Sequence, residues 1–197
     1  MNAKNPVLLF LYFACFLLPL VGHAAPVVPP SPLSTGPWSP AVNGVQGRLL
    51  VAVDGKVNGT RQSRIYLELR NTTDLMSPLR VDYGSGEGLK LVVVNSKNKR
   101  VSDTGSDFDA IRPDPYEIVL PHDSSLRFLV SVPGYGVPKD AGTMLELGVP
   151  DGLILLPSQS HETYFLQGIF SVPASTKLGS QQEWHGTLTL PKVKIPQ

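Results

Sequence analysis

From Gly47 onward, apolar and polar residues alternate with a period of two. In "RIYLELR" (64–70), Ile65, Leu67 and Leu69 fall on one face, and Tyr66, Glu68 and Arg70 on the other. That is the signature of a half-buried strand. "GRLLVAV" (47–53) precedes it and ends at a predicted turn, "DGKVNGT". "NTTD" follows it and supplies turn chemistry, because Asn, Thr and Asp side chains bond their own backbone. "PLRVDYG" then alternates again, with Leu79, Val81 and Tyr83 set against Arg80 and Asp82.

The same reading predicts strands at "LKLVVV" (89–94), "YEIVLP" (116–121), "SLRFLVSV" (125–132), "TMLELGV" (143–149) and "TYFLQGIFSV" (163–172). The 143–149 segment could also open a short helical turn, and Gly168 marks a bulge or a close approach. In "EWHGTLTLPKVKI", Trp184, Gly186, Leu188 and Leu190 share a face, and Val193 and Ile195 follow. Pro191 forces a bulge with a change of face, or an edge position. About eight or nine short strands, separated by turn signals, predict an antiparallel β-sandwich. The 18 glycines and 19 prolines agree, since helix interiors tolerate neither.

The first 24 residues follow another pattern. Lys4 precedes an apolar run from Val7 to Val21, and Gly22 and Ala24 suit the −3 and −1 positions of a signal peptidase site. The run of 15 residues contains Pro19, whereas a spanning helix needs about 20 apolar residues. The expectation is a cleaved signal peptide (1–24), with no stable membrane span afterwards. Cys15 lies inside the apolar run, so the mature chain would hold no cysteine, hence no disulfide, thiolate nucleophile or cysteine-ligated zinc. Residues 25–42 carry six prolines, and 25–44 reads as an extended Pro-rich spacer. Trp38 within it is expected to dock back on the domain as a cap. The domain proper is expected over 45–197.

Several of these segments resemble a known architecture. "IYLELRNTTDLMSPLRV" and "YEIVLPHDSSLRFLV" are similar to strand regions of bacterial immunoglobulin-like domains. Trp184 to Val193 fits a W-x-G-x-L-x-L-P-x-V pattern that resembles the C-terminal strands of uncharacterised exported bacterial proteins. These are packing motifs. The resemblance implies an immunoglobulin-like β-sandwich of about eight or nine strands, and no activity.

Charge narrows the partners. The chain has 17 basic and 16 acidic residues, and loss of the signal peptide would leave 16 of each. No basic excess points to nucleic acid.

Candidate chemistry is sparse. Asp103-Thr104-Gly105-Ser106 matches the D-T-G-S signature of aspartic proteases. Its context is polar and basic, where that family has an apolar strand, and "ELGV" (146–149) is a poor version of the second motif. Asp103, Asp107, Asp109, Asp114, Glu117 and Asp123 make an acidic stretch opposed by Arg112 alone. It lacks the calcium-loop spacing. His122, His161 and His185 have no metal-ligand spacing. His122-Asp123-Ser124 lists the residue types of a triad, but triads are assembled across a fold, and a turn fits better. "GSGEG" (84–88) and "GYG" (134–136) read as turns, without phosphate-loop context. Asn58-Gly59-Thr60 and Asn71-Thr72-Thr73 are glycosylation sequons, and each also fits a turn. No catalytic, cofactor or metal residue is assigned.

The expected function is that of an exported, non-enzymatic module that contacts another protein of the envelope or the extracellular space. A carbohydrate-binding module is the alternative, with Trp38, Tyr135 and Trp184 as stacking residues. A hydrolase built on Asp103 comes last. The long connections 96–114 and 133–142 are the expected contact loops.

Overall fold

The computed structural model describes residues 33–57, 60–73, 79–83, 88–101, 116–130, 144–150, 152–157, 161–174 and 183–197. Twelve strands and no helix occur among them: β1 (Leu33–Thr35), β2 (Val45–Val57), β3 (Thr60–Asn71), β4 (Leu79–Tyr83), β5 (Leu89–Asn95), β6 (Tyr116–Leu120), β7 (Ser125–Leu129), β8 (Met144–Val149), β9 (Gly152–Pro157), β10 (Tyr164–Val172), β11 (Glu183–Trp184) and β12 (Gly186–Lys194). The first sheet has the order β1-β2-β3-β8-β9, with β7 also paired to β3. The second is β12-β10-β5, and the third β11-β4-β6.

The period-two pattern explains the layers. Leu49, Val51 and Val53 of β2 and Ile65, Leu67 and Leu69 of β3 are buried in one core cluster. Leu89, Leu91 and Val93 of β5, Leu166 and Phe170 of β10, and Leu188, Leu190 and Val193 of β12 join them. Gly47 shows how closely the first two sheets oppose each other: a Cβ there would lie 2.8 Å from Leu190 Cδ2 and 3.2 Å from Leu188 Cδ1. The fold is all-β and sandwich-like. Trp184 of β11 ties in the third sheet. It is buried, stacks on Phe170 with ring centroids 5.9 Å apart, and donates from Nε1 to Val42 O at 2.8 Å. It is a core plug, and no stacking platform for a sugar.

Three predicted features hold in detail. Between Leu166↔Val193 and Gly168↔Leu190, β12 has two residues, Pro191 and Lys192, where β10 has one. That is the bulge expected at Pro191. Gly168 is a close approach, since a Cβ there would lie 2.6 Å from Lys90 O. The 143–149 segment is strand from Met144, and β8 resolves its helix-or-strand ambiguity.

Other features correct the sequence reading. The β2 strand runs through the expected turn to Val57 and pairs with β3 from Thr60. β1, β9 and β11 are additional strands. β9, "GLILLP", lacks alternation because most of its side chains are buried on both faces. The sheets are not purely antiparallel: β3–β8 and β4–β11 pair in parallel. The largest change concerns the Pro-rich stretch. From Leu33 it is an edge arm of the first sheet. Asn43 and Gly44 both take positive φ, 47° and 78°, between the mutually bonded Val42 and Val45. This Asn-Gly turn sends the arm back along β2. Gly36 N and Ser39 N donate to Leu49 O and Gly47 O, while Pro37 and Pro40 sit where no donor is required. Residues 25–32 lie outside the described residues.

Candidate functional site

The outward face of the first sheet carries a linked polar cluster. Register places Arg48 of β2 opposite Glu68 of β3, and Glu68 opposite Arg127 of β7. Arg48 Nε donates to Glu68 Oε2 at 2.8 Å, Arg127 Nη2 approaches the same oxygen at 3.4 Å, and Ser125 Oγ donates to Oε1 at 3.3 Å. Burial raises the Glu68 carboxyl; the Arg48 bond and charge, with Arg127 behind them, outweigh it and hold the group below the ordinary carboxylate value. Trp38 completes the cluster. Its ring lies between Arg48, 4.2 Å from the ring centroid, and Arg70, 4.5 Å away. Gln46 Nε2 donates to Ser39 O at 2.9 Å, and Arg70 Nη2 donates to Gln46 Oε1. Trp38 is therefore a cap, as expected from sequence.

This cluster fixes β7, which is the exposed feature. β7 pairs with β3 on one side, and among the described residues no strand pairs with its other side. Asn71 N donates to Ser124 O and Val130 N to Ile65 O, six residues apart in one antiparallel register. Antiparallel bonding alternates, so Leu126 and Phe128 direct their backbone groups at β3. Ser125, Arg127 and Leu129 direct theirs away from it. Leu126 is 43% exposed and Leu129 50%. β6 leads into β7 through residues 121–124, and its Val119 is 49% exposed. Edge strands are commonly guarded by a projecting charge. Here Arg127 is drawn onto the sheet face by Glu68.

The connection before β7 is a knot around Asn71, which is fully buried. Asn71 Nδ2 donates to Leu120 O at 3.1 Å, and its Oδ1 accepts from Thr73 N at 2.9 Å and Thr73 Oγ1 at 2.7 Å. Thr72 N and Oγ1 both donate to Gly44 O. The end of β3, the 121–124 turn and the Asn43-Gly44 turn are thus tied at one point. A glycan on Nδ2 has no room in the folded chain, so this sequon is a turn. Asn58 lies outside the described residues.

The remaining candidates do not converge. His122-Asp123-Ser124 forms the turn: His122 Nδ1 bonds Thr73 O, its Nε2 lies 3.1 Å from Asp123 Oδ2, and Ser124 Oγ donates to Pro121 O at 2.6 Å. A serine turned to its own loop carbonyl is not aimed at the histidine. His161 and His185 are exposed, and the described residues hold no group of three metal-ligating side chains. Glu146 to Val149 is buried within β8. Asp103 to Ser106, Asp107, Asp109, Arg112, Asp114, Gly134 to Gly136 and Tyr135 lie outside the described residues, as do most of the two long connections. Among the described residues no helix is long and apolar enough to cross a membrane. Comparison with family models, curated proteins and solved structures finds no match to this chain.

Proposed function

We propose that the protein is an exported, non-enzymatic β-sandwich module of immunoglobulin-like type that contacts another protein in the cell envelope or outside the cell. The observation that carries this reading is the β7 edge, with outward backbone groups at Ser125, Arg127 and Leu129 and exposed apolar side chains at Leu126 and Leu129. An extended segment of a partner can add to such an edge: main-chain bonds supply affinity, and alternate side chains supply choice. Two further observations agree. The triad-like residues are used in a turn, and the N-terminal 24 residues have the layout of a signal peptide. The immunoglobulin-like assignment draws on the opposed sheets of short strands and on the motifs at 65–81 and 184–193.

A photo-crosslinking residue placed at position 129 tests the contact, with position 189 on the second sheet as the control. One recurrent polypeptide should crosslink from 129 in envelope material and be lost in Leu126→Lys. Equal labelling from both positions, or none, overturns the reading. Export has its own check: the mature N-terminus should be Ala25 or a near neighbour, and an intact Met1 on envelope-extracted protein would overturn it.

A further inference from the structure

The outer face of the second sheet has an unusual charge distribution. β5, β10 and β12 contain no acidic residue, and Lys90, Lys192 and Lys194 are all exposed. The turn after β5 adds Lys97, Lys99 and Arg100, also exposed. Six cations therefore gather on one sheet and its turn in a chain whose overall charge is near zero. Acid partners could have neutralised them, yet among the described residues none of the six forms an ion pair. Lys192 Nζ bonds the neutral Asn98 Oδ1, which draws the turn toward the β12 side. The acid beside the turn, Glu162, accepts from Asn95 Nδ2 at 2.7 Å and Tyr164 Oη at 3.2 Å.

Between the cations the face carries hydrogen-bonding side chains. Phe165 stands opposite Lys194, and Ile169 opposite Lys90 and Thr189. Thr187 and Thr189 are exposed, Gln167 is half-buried, and Ser171 Oγ bonds Thr187 Oγ1 at 3.1 Å. From strand spacing and rise, Lys90 and Lys194 are roughly 16 Å apart across β10.

We propose that this face binds an acidic polysaccharide. Spaced cations match a polymer that repeats its negative charge, and like charges held together unpaired create a field that attracts one. Hydroxyl and amide groups between them suit sugar hydroxyls. A lipid surface would instead call for several exposed large apolar or interfacial aromatic side chains; on these strands Ile169, 45% exposed, is the exposed large hydrophobic. The face is distinct from the β7 edge, so a module could hold a protein and an anionic polymer at once.

The test is retention of the purified protein on immobilised polygalacturonate, with neutral dextran, phosphatidylglycerol vesicles and double-stranded DNA in parallel. Retention is expected on polygalacturonate at low salt, with release as salt rises and screening shortens. Removing one lysine near an anionic surface weakens binding about fivefold, so Lys90→Gln/Lys192→Gln/Lys194→Gln together should weaken it roughly a hundredfold. Their side chains are exposed, and the thermal midpoint should not move. Lys97→Gln/Lys99→Gln repeats the test on the turn. No retention on polygalacturonate, unchanged retention in both variants, or equal or stronger binding to DNA or vesicles overturns the proposal.

Discussion

Asn71→Ala removes the hub of the knot at the end of β3. Three hydrogen bonds go: the donation to Leu120 O and the two acceptances from Thr73. At a net value near 1 kcal/mol each, the loss is about 3 kcal/mol. Leu120 is fully buried, so its carbonyl keeps part of the desolvation cost and the estimate is a floor. For a chain of this size that corresponds to a thermal midpoint lower by roughly 6–12 °C. Urea unfolding gives the free energy, and an unchanged slope would show that only stability moved. Asn71→Asp separates the donor from the acceptor. A carboxylate can accept both Thr73 bonds but faces Leu120 O with no proton, and burial also disfavours its charge. Its folded pKa is therefore raised, so the variant is least destabilised at low pH and loses ground as pH rises through that value. If Asn71→Ala stays within about 0.5 kcal/mol of the wild type, or Asn71→Asp shows no such pH trend, the knot does not hold the fold as argued.

Other perturbations test other joints. Trp184→Phe removes the Nε1 bond to Val42 O, a carbonyl that keeps its bond from Val45 N; urea unfolding should show a loss of about 1 kcal/mol, and tryptophan emission should shift red, since Trp38 alone remains. Gly168→Ala drives a Cβ to 2.6 Å from both Lys90 O and Leu91 Cδ2; a backbone carbonyl cannot give way cheaply, so a cost of about 1–3 kcal/mol is expected in thermal unfolding. Glu68→Gln should cost about 1 kcal/mol at neutral pH, because Arg48 and Arg127 remain partly solvated. The Glu68 carboxyl is depressed in the fold, so its contribution is present above the unfolded value and is lost as pH falls through the folded one. Wild type and Glu68→Gln should therefore converge in stability on acidification.

The strands were legible in the sequence where one face is buried and the other wet. β10 alternates in burial along its whole length, and β3 does so from Arg64 to Arg70 except at Glu68, which is buried on the polar face. β9 is buried on both faces and has no period to read. The Glu68 cluster was hidden for a different reason. Near their connection, β2 and β3 pair Val57 with Thr60 and Lys56 with Arg61; beyond the bulge the register shifts by one, so that Val53 meets Ser63 and Arg48 meets Glu68. Counting back from the Asn58-Gly59 turn without that bulge would set Arg48 against Leu69. One extra residue moves every later side chain to a different partner, and no local signal marks it.

The Pro-rich stretch shows how a correct local rule leads to a wrong element. Proline does remove a donor, and six in 18 residues do favour an extended chain. Extension is also what an edge strand requires. The decision rested on whether the donors of the remaining residues meet carbonyls, and Asn43-Gly44 sets that by turning the arm onto β2 in a register that uses Gly36 N and Ser39 N and skips Pro37 and Pro40. Trp38 then falls between Arg48 and Arg70, and Val42 O within reach of Trp184 Nε1. Each tryptophan is thereby committed to joining the arm to the sandwich. That leaves binding to surfaces that sequence motifs do not advertise: an edge defined by backbone direction at β7, and a face defined by the acids that β5, β10 and β12 lack.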